Sequence, residues 1–211
     1  MGTASSLLFK SRRKNVSKLS KKELQELKST THFEAKQLRK WHRDFVQDCP
    51  DGHMSKEVFR SIYGQFYPTG NASRFVDYMF NVFDANKDGV VTFKEFISAI
   101  SVTTHGSIDE KLNWAFKLYD LNNDGFVSHN EMLDIVTAIY RLHGRFSNSI
   151  DARDAAERRV NQLFVKLDKD RDGKISCKEF CSGFKNDSFI VRALVSDDLT
   201  EGTSQRTTHV T

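Results

Sequence analysis

The chain has 211 residues, 38% of them hydrophobic, and a net charge of +4, which is enough length and apolar content for one large domain or two packed lobes with real cores. No run approaches the ~18 consecutive apolar residues of a membrane span, and the opening MGTASSLLFKSRRK lacks the apolar core of a secretory signal, so neither a spanning nor a secreted protein is expected. Three cysteines, Cys49, Cys177 and Cys181, are too few for a disulfide framework and fit free thiols in a reducing compartment.

The N-terminal segment is basic. Residues 1–47 hold 12 Lys/Arg against 4 Asp/Glu, whereas residues 48–211 hold 20 against 24. Such a head suits an anionic surface, either membrane or nucleic acid. Met1-Gly2 followed by Ser6 matches the pattern for N-myristoylation at Gly2. Lys10, Arg12, Arg13, Lys14 and Lys18 follow closely, and they supply the second, electrostatic signal that a single acyl chain needs for stable membrane residence. Ser20-x-x-Glu23, followed by Leu24 and Leu27, reads as a short capped helix lying either on the membrane or on the body.

Beyond the head the sequence repeats. Three segments read DANKDGVVTFKE (84–95), DLNNDGFVSHNE (120–131) and DKDRDGKISCKE (168–179). Apolar residues at helical spacing precede each one (Phe75, Met79, Phe83; Leu112, Phe116, Tyr119; Val160, Phe164, Leu167) and follow each one (Phe96, Ile100; Met132, Ile135, Ile139; Phe180, Phe184). Helix, acidic twelve-residue loop, helix is the EF-hand unit. The loops at 84 and 120 begin 36 residues apart, and one further step back reaches DCPDGHMSKEVF (48–59). This lies between a helix carrying Leu38, Trp41 and Phe45 and another carrying Phe59, Ile62 and Phe66. The fold class expected is all-α: four hands in two paired lobes, with short β pairing between loops. The expected organisation is a basic acylated segment (1–30), a first pair (31–104), a second pair (105–193) and a polar tail (194–211). Between the pairs, Gly106 is a candidate hinge and Ser107-x-x-Glu110 a capping box.

Ca2+ is a hard cation that takes ~6–8 oxygens. Loop positions 1, 3 and 5 offer side-chain oxygens from Asp84, Asn86 and Asp88; Asp120, Asn122 and Asp124; and Asp168, Asp170 and Asp172. Position 7 gives a backbone carbonyl (Val90, Phe126, Lys174), position 9 a hydroxyl (Thr92, Ser128, Ser176) and position 12 a bidentate carboxylate (Glu95, Glu131, Glu179). Gly89, Gly125 and Gly173 stand where the loop turns sharply. Positions 9 and 12 also have capping-box spacing, so metal capture is linked to the start of the exit helix. The loop 168–179 carries four carboxylates and the other two carry three each, so it is expected to bind most tightly and to permit Mg2+ at rest. The loop 48–59 is read with Pro50 at position 3, Gly52 at position 5, His53 at position 6 and Phe59 at position 12, and on that reading it does not hold Ca2+.

The pattern resembles the neuronal calcium sensor family, which includes recoverin, frequenin, neurocalcin and the visinin-like proteins. The resemblance spans roughly residues 1–193. It is carried by Cys49-Pro50 in the first loop, FNVFDANKDG (80–89), DEKLNWAFKLYDLNNDG (109–125) and NEMLDIVTAIY (130–140). Three complete loops look more like frequenin and neurocalcin than like recoverin. The resemblance implies a myristoylated regulator at the cytoplasmic face of a membrane, dependent on calcium and acting on a kinase, cyclase, receptor or channel. Nucleic acid is not an expected partner, and the chain is expected to be a monomer or weak dimer. The resemblance also implies a target groove between the first two hands, whose matching positions are Trp41, Phe45, Phe59, Ile62, Tyr63, Phe66, Phe75, Phe83 and Phe96. The same helix faces also make a core. A cytosolic calcium buffer and a calcium-binding subunit of an enzyme are the alternatives. An enzyme in its own right is not expected, because no nucleophile–base pair or phosphate-cradling glycine loop is present.

Overall fold

The computed structural model describes residues 18–64, 73–142 and 149–185. Gly2, Lys10, Arg12, Arg13, Lys14, Phe66 and the tail from 194 lie outside the described residues. The capped helix expected after the basic head is α1 (Lys21–Thr30), and it lies on the body. The Ser20 N–H donates to Glu23 Oε2 at 2.9 Å and the Glu23 N–H donates to Ser20 Oγ at 3.2 Å, a complete capping box. Leu24 and Leu27, on one face, are buried in the first hydrophobic core. An ion pair between Lys94 and Glu26 ties the outer face to the second hand.

The helices that follow are α2 (Ala35–Asp48), α3 (Lys56–Gly64), α4 (Ser73–Phe83) and α5 (Phe93–His105), then α6 (Ile108–Tyr119), α7 (His129–Leu142), α8 (Ser149–Leu167) and α9 (Cys177–Lys185). Two antiparallel ladders join the loops in pairs: β1 (His53–Met54) with β2 (Val91–Thr92), and β3 (Phe126–Ser128) with β4 (Lys174–Ser176). The architecture is all-α with four hands in two pairs, as the repeat predicts.

Each pair closes over its own apolar cluster. Phe45, Phe59, Phe83, Phe96 and Ile97 are in the first, with Leu112, Met132, Leu163, Ile175 and Phe180 in the second. A single hand cannot bury its own apolar face, so pairing is what makes each lobe stable. The lobes touch across α4. Leu142 of α7 is part of the first cluster, and Trp114 of α6 packs edge-on against Phe83 at 6.1 Å between ring centroids. Gly106 follows α5 with φ −62°, so its backbone is open to any residue. The constraint there is space, since a Cβ at this position would sit 2.4 Å from the Val102 carbonyl oxygen. The Ser107 box forms as expected, with the Ser107 N–H on Glu110 Oε2 at 2.7 Å.

The ladder corrects the reading of the first loop. In the second pair, Val127 stands opposite Ile175, both at loop position 8. In the first pair, Val91 at position 8 stands opposite Met54. The first loop therefore runs 47–58 rather than 48–59. Gly52 takes position 6, Pro50 position 4 and Val58 position 12, while Phe59 is the first core residue after the loop. Its equivalents Phe96, Met132 and Phe180 are buried as Phe59 is. A second contact agrees with this register. The His53 N–H donates to Asp51 Oδ1 at 3.1 Å, as the position 7 N–H donates to the position 5 carboxylate in the other three loops, at 3.0, 2.9 and 2.8 Å.

Candidate metal centres

In each acidic loop, the backbone reverses through two residues of positive φ. At position 6 these are Gly89 and Gly125, both at 87°, and Gly173 at 81°; at position 4 they are Lys87 at 61°, Asn123 at 58° and Arg171 at 62°. This curl turns the loop's N–H groups inward onto its carboxylates. The Gly89 N–H reaches Asp84 Oδ2 at 2.9 Å and the Gly125 N–H reaches Asp120 Oδ2 at 3.0 Å. The Gly173 N–H reaches Asp168 Oδ2 at 3.1 Å. Asp84 and Asp120 are nearly buried, as the first ligand of an inward-facing shell should be.

The position 12 glutamates span their loops. Glu95 Oε2 accepts from the Thr92 N–H at 2.9 Å and hydroxyl at 2.7 Å, while Oε1 accepts from the Asn86 N–H at 3.3 Å. Glu131 repeats this with Ser128 (2.8 and 2.7 Å) and with the Leu121 and Asn122 N–H groups (both 3.2 Å). Glu179 repeats it with Ser176 (2.9 and 2.7 Å) and the Lys169 N–H at 2.8 Å. Burial pushes the Glu179 carboxyl up, but the hydrogen bonds from Ser176, Lys169 and Asp170 outweigh it and hold the group below the ordinary carboxylate range.

The last loop offers the fullest donor set. Carboxylate oxygens of Asp168, Asp170 and Asp172 lie within 4.8 Å of one another. Asp168 Oδ1 is buried with no hydrogen-bond partner, whereas the matching oxygens of Asp84 and Asp120 accept the position 5 N–H at 3.2 and 3.1 Å. A buried, unpartnered carboxylate oxygen facing two other carboxylates suits a hard divalent cation. Asp168, Asp170, Asp172, Ser176, Glu179 and the Lys174 carbonyl would hold it. In the other two loops an Asn takes position 3, and its amide donates to the position 5 carboxylate (Asn86 to Asp88 Oδ2, 2.9 Å; Asn122 to Asp124 Oδ2, 3.1 Å). The expected ligands Asp84, Asn86, Asp88, Val90, Thr92 and Glu95 share one loop, as do Asp120, Asn122, Asp124, Phe126, Ser128 and Glu131.

The first loop lacks this construction for a backbone reason as well as a chemical one. Position 4 requires φ near +60° in the other loops, and Pro50 stands there with φ locked near −65°. The curl cannot form. Helix α2 instead continues through Asp48, two residues past the point where α4, α6 and α8 stop, and the Cys49 N–H closes it on the Phe45 carbonyl at 2.8 Å. Position 3 becomes Cys49, whose thiol burial pushes up to about 12. Position 12 becomes Val58, with no oxygen. Asp51 at position 5 is the one carboxylate left at a ligand position; Gln47 at position 1 and Ser55 at position 9 offer only neutral oxygens.

Eight of the nine groove positions are among the described residues, and all eight lie in or against the first apolar cluster. Phe45, Phe59, Ile62, Phe83 and Phe96 are buried, and Trp41, Tyr63 and Phe75 are half-buried against the same cluster. Phe59 stacks on Tyr63 at 4.3 Å and meets Phe83 at 5.2 Å, and Phe83 meets Phe96 at 5.9 Å. Sequence reasoning missed what covers them, namely Trp114 and Leu142 from the other lobe and Phe33 against Trp41 at 4.6 Å. Covering partners from distant segments leave no local periodic signal.

Known proteins agree with this geometry. The EF hand domain family matches residues 75–103 and the EF-hand domain pair family matches residues 109–185. The chain is 50% identical over 185 residues to neuronal calcium sensor 1 of Aplysia californica, covering 88% of this chain and 97% of the relative. It is 46% identical over 185 residues to neuronal calcium sensor 1 of Lymnaea stagnalis, with the same coverage. Four paired hands, three inward-curled acidic loops and half-identity along nearly the whole of these relatives make one argument: the chain belongs to the neuronal calcium sensor family.

Proposed function

We propose that the protein is a calcium sensor that takes up three Ca2+ and regulates membrane-associated targets through an acylated, basic N-terminus. The observation that carries this reading is the double duty of Glu95, Glu131 and Glu179. Each is at once the closing oxygen donor of its loop and a partner of the residue that starts the exit helix. Calcium, when bound, supplies the hard divalent charge that draws the loop oxygens together. A glutamate drawn inward carries the first turn of its helix with it, which is the event a sensor needs and a buffer does not.

A route from the loop 84–95 to the N-terminus supports the second half of the reading. Helix α5 leaves that loop, and α1 is held to it by Glu26–Lys94 and by the His32 N–H on Ser101 Oγ at 2.9 Å. A shift of α5 therefore reaches α1 and, by chain continuity, the basic residues Lys18 to Lys10 and Gly2. No helix among the described residues is long and apolar enough to cross a membrane, so attachment depends on the acyl chain and these charges.

The test is liposome flotation of the acylated chain and of Gly2→Ala, each with calcium or chelator, on neutral and phosphatidylserine vesicles. Binding should need both the acyl group and the anionic lipid and should change with calcium. Equal flotation of Gly2→Ala and the acylated chain sinks the membrane half of the proposal. Loss of calcium uptake in solution would sink the sensor half.

A further inference from the structure

Cys177 and Cys181 stand one turn apart on α9, with their sulfurs 3.9 Å from each other. A third donor comes from α6, where Asn113 Oδ1 lies 3.3 Å from Cys177 Sγ and 3.9 Å from Cys181 Sγ, accepting from both thiols. The amide is oriented for this, because Asn113 Nδ2 donates to the Asp109 carbonyl at 2.7 Å and leaves the oxygen turned toward the sulfurs. We propose that Cys177, Cys181 and Asn113 form a binding site for a thiophilic divalent cation of the Zn2+ class, distinct from the calcium loops.

The argument is one of distances. A tetrahedral zinc at Zn–S about 2.3 Å and Zn–O about 2.1 Å has sulfur–sulfur edges of about 3.8 Å and sulfur–oxygen edges of about 3.6 Å. The triangle in the structure already has those proportions, so three corners of the tetrahedron stand in place and water can take the fourth. A disulfide fits the same pair poorly. Residues four apart on a helix hold their Cβ atoms about 5–6 Å apart, against about 3.5–4.5 Å in a disulfide. Hard Ca2+ has no preference for sulfur, so the two kinds of site do not compete for one ion. Both thiols are half-buried and open to solvent, beside the Lys185–Asp109 ion pair at 2.7 Å. On binding, each thiol gives its proton to solvent. The site would pin the first helix of the third hand to the last helix of the fourth, beside Ser176 and Glu179.

The experiment uses the full chain, reduced and saturated with calcium so that the loops are filled. Cd2+ is the probe, read by the ultraviolet charge-transfer absorption of its thiolate bonds, with Zn2+ then added as competitor. One equivalent of Cd2+ should develop the band, and Zn2+ should remove it. Cys181→Ser and Cys177→Ser should each abolish it, Cys49→Ser should leave it unchanged, and Asn113→Ala should weaken binding by at least about tenfold. An unchanged calcium stoichiometry in each variant shows that the lobe still folds. A band that survives Cys181→Ser, that needs Cys49, or that is indifferent to Asn113→Ala overturns the site, as does the absence of a band at one equivalent.

Discussion

Met54 lies opposite Val91 in the first ladder, and both side chains are fully buried. That pairing places Val58 where the other loops carry glutamate and Pro50 where they need positive φ. A carboxylate at position 12 is therefore not enough to revive the loop. Calorimetry in the presence of Mg2+ should find no more than three Ca2+ per chain, and Val58→Glu should add none. A fourth calcium in the wild-type chain would falsify the account of the first loop.

Glu95→Gln, Glu131→Gln and Glu179→Gln should each remove one calcium. An amide cannot offer two anionic oxygens, although it can still accept the capping hydrogen bonds that hold the exit helix. The helices should consequently survive in the circular dichroism spectrum while the stoichiometry falls by one. The Glu179→Gln change should remove the tightest site, because that loop alone carries four carboxylates and the orphaned Asp168 oxygen.

These outcomes turn on what the sequence could and could not disclose. The four hands, their pairing and the three complete loops were legible, because ligand spacing and helical periodicity are local and repeated. The capping boxes at Ser20 and Ser107 were legible for the same reason. The register of the first loop was legible only in part. A fixed interval assumes equal spacing between hands, whereas Asp51-Gly52 is the counterpart of Asp88-Gly89, and the Met54–Val91 pairing and the His53 N–H on Asp51 fix that register. The cover over the aromatic residues was also hidden, since Trp114, Leu142 and Phe33 come from segments far along the chain. Asn113 beside the Cys177–Cys181 pair is a third case, 64 positions from its nearer sulfur.

The α1 helix should contribute measurable stability. Leu27 is 3% exposed, and truncating a buried Leu to Ala costs about 2–5 kcal/mol when the site cannot collapse. Leu27→Ala should lower the unfolding free energy by an amount in that range. Lys94→Ala removes only a surface ion pair and should cost under about 1 kcal/mol. If the two changes cost the same, α1 is held by charge rather than by burial.

The first hand's exit helix is clasped to the second hand's entering helix by Asp77. Arg60 donates to its two carboxylate oxygens at 2.7 and 2.8 Å, and Lys56 stands 3.7 Å away. The hydrogen bonds from Arg60 hold the Asp77 carboxyl below its ordinary value of 3.8, against a smaller upward push from burial. A carboxyl depressed in the folded state contributes stability that is present above the unfolded value and lost as pH falls through the folded one. Asp77→Asn should thus be less stable than wild type at neutral pH, with the difference shrinking below pH 3.8. Denaturant titrations across that range check it. A gap that is constant with pH would assign the effect to packing.

Calcium should uncover the aromatic cluster of the first lobe. Phe83 ends the helix that enters the loop 84–95 and Phe96 sits in the helix that leaves it, so the two rings, 5.9 Å apart, straddle the metal loop. Drawing Glu95 inward changes the angle between those helices and so the contact between the rings. Trp114 packs on Phe83 from the other lobe and reports the same movement. Hydrophobic-dye fluorescence should rise with calcium, and the emission of Trp114 should shift with it. Trp41→Phe should keep the tryptophan signal and Trp114→Phe should abolish it. Glu95→Gln should suppress both the dye and the tryptophan responses while leaving the loops 120–131 and 168–179 able to bind. A full dye response in Glu95→Gln would mean that the uncovered surface belongs to the second lobe, and that the aromatic cluster around Phe83 stays closed as the core it is in this structure.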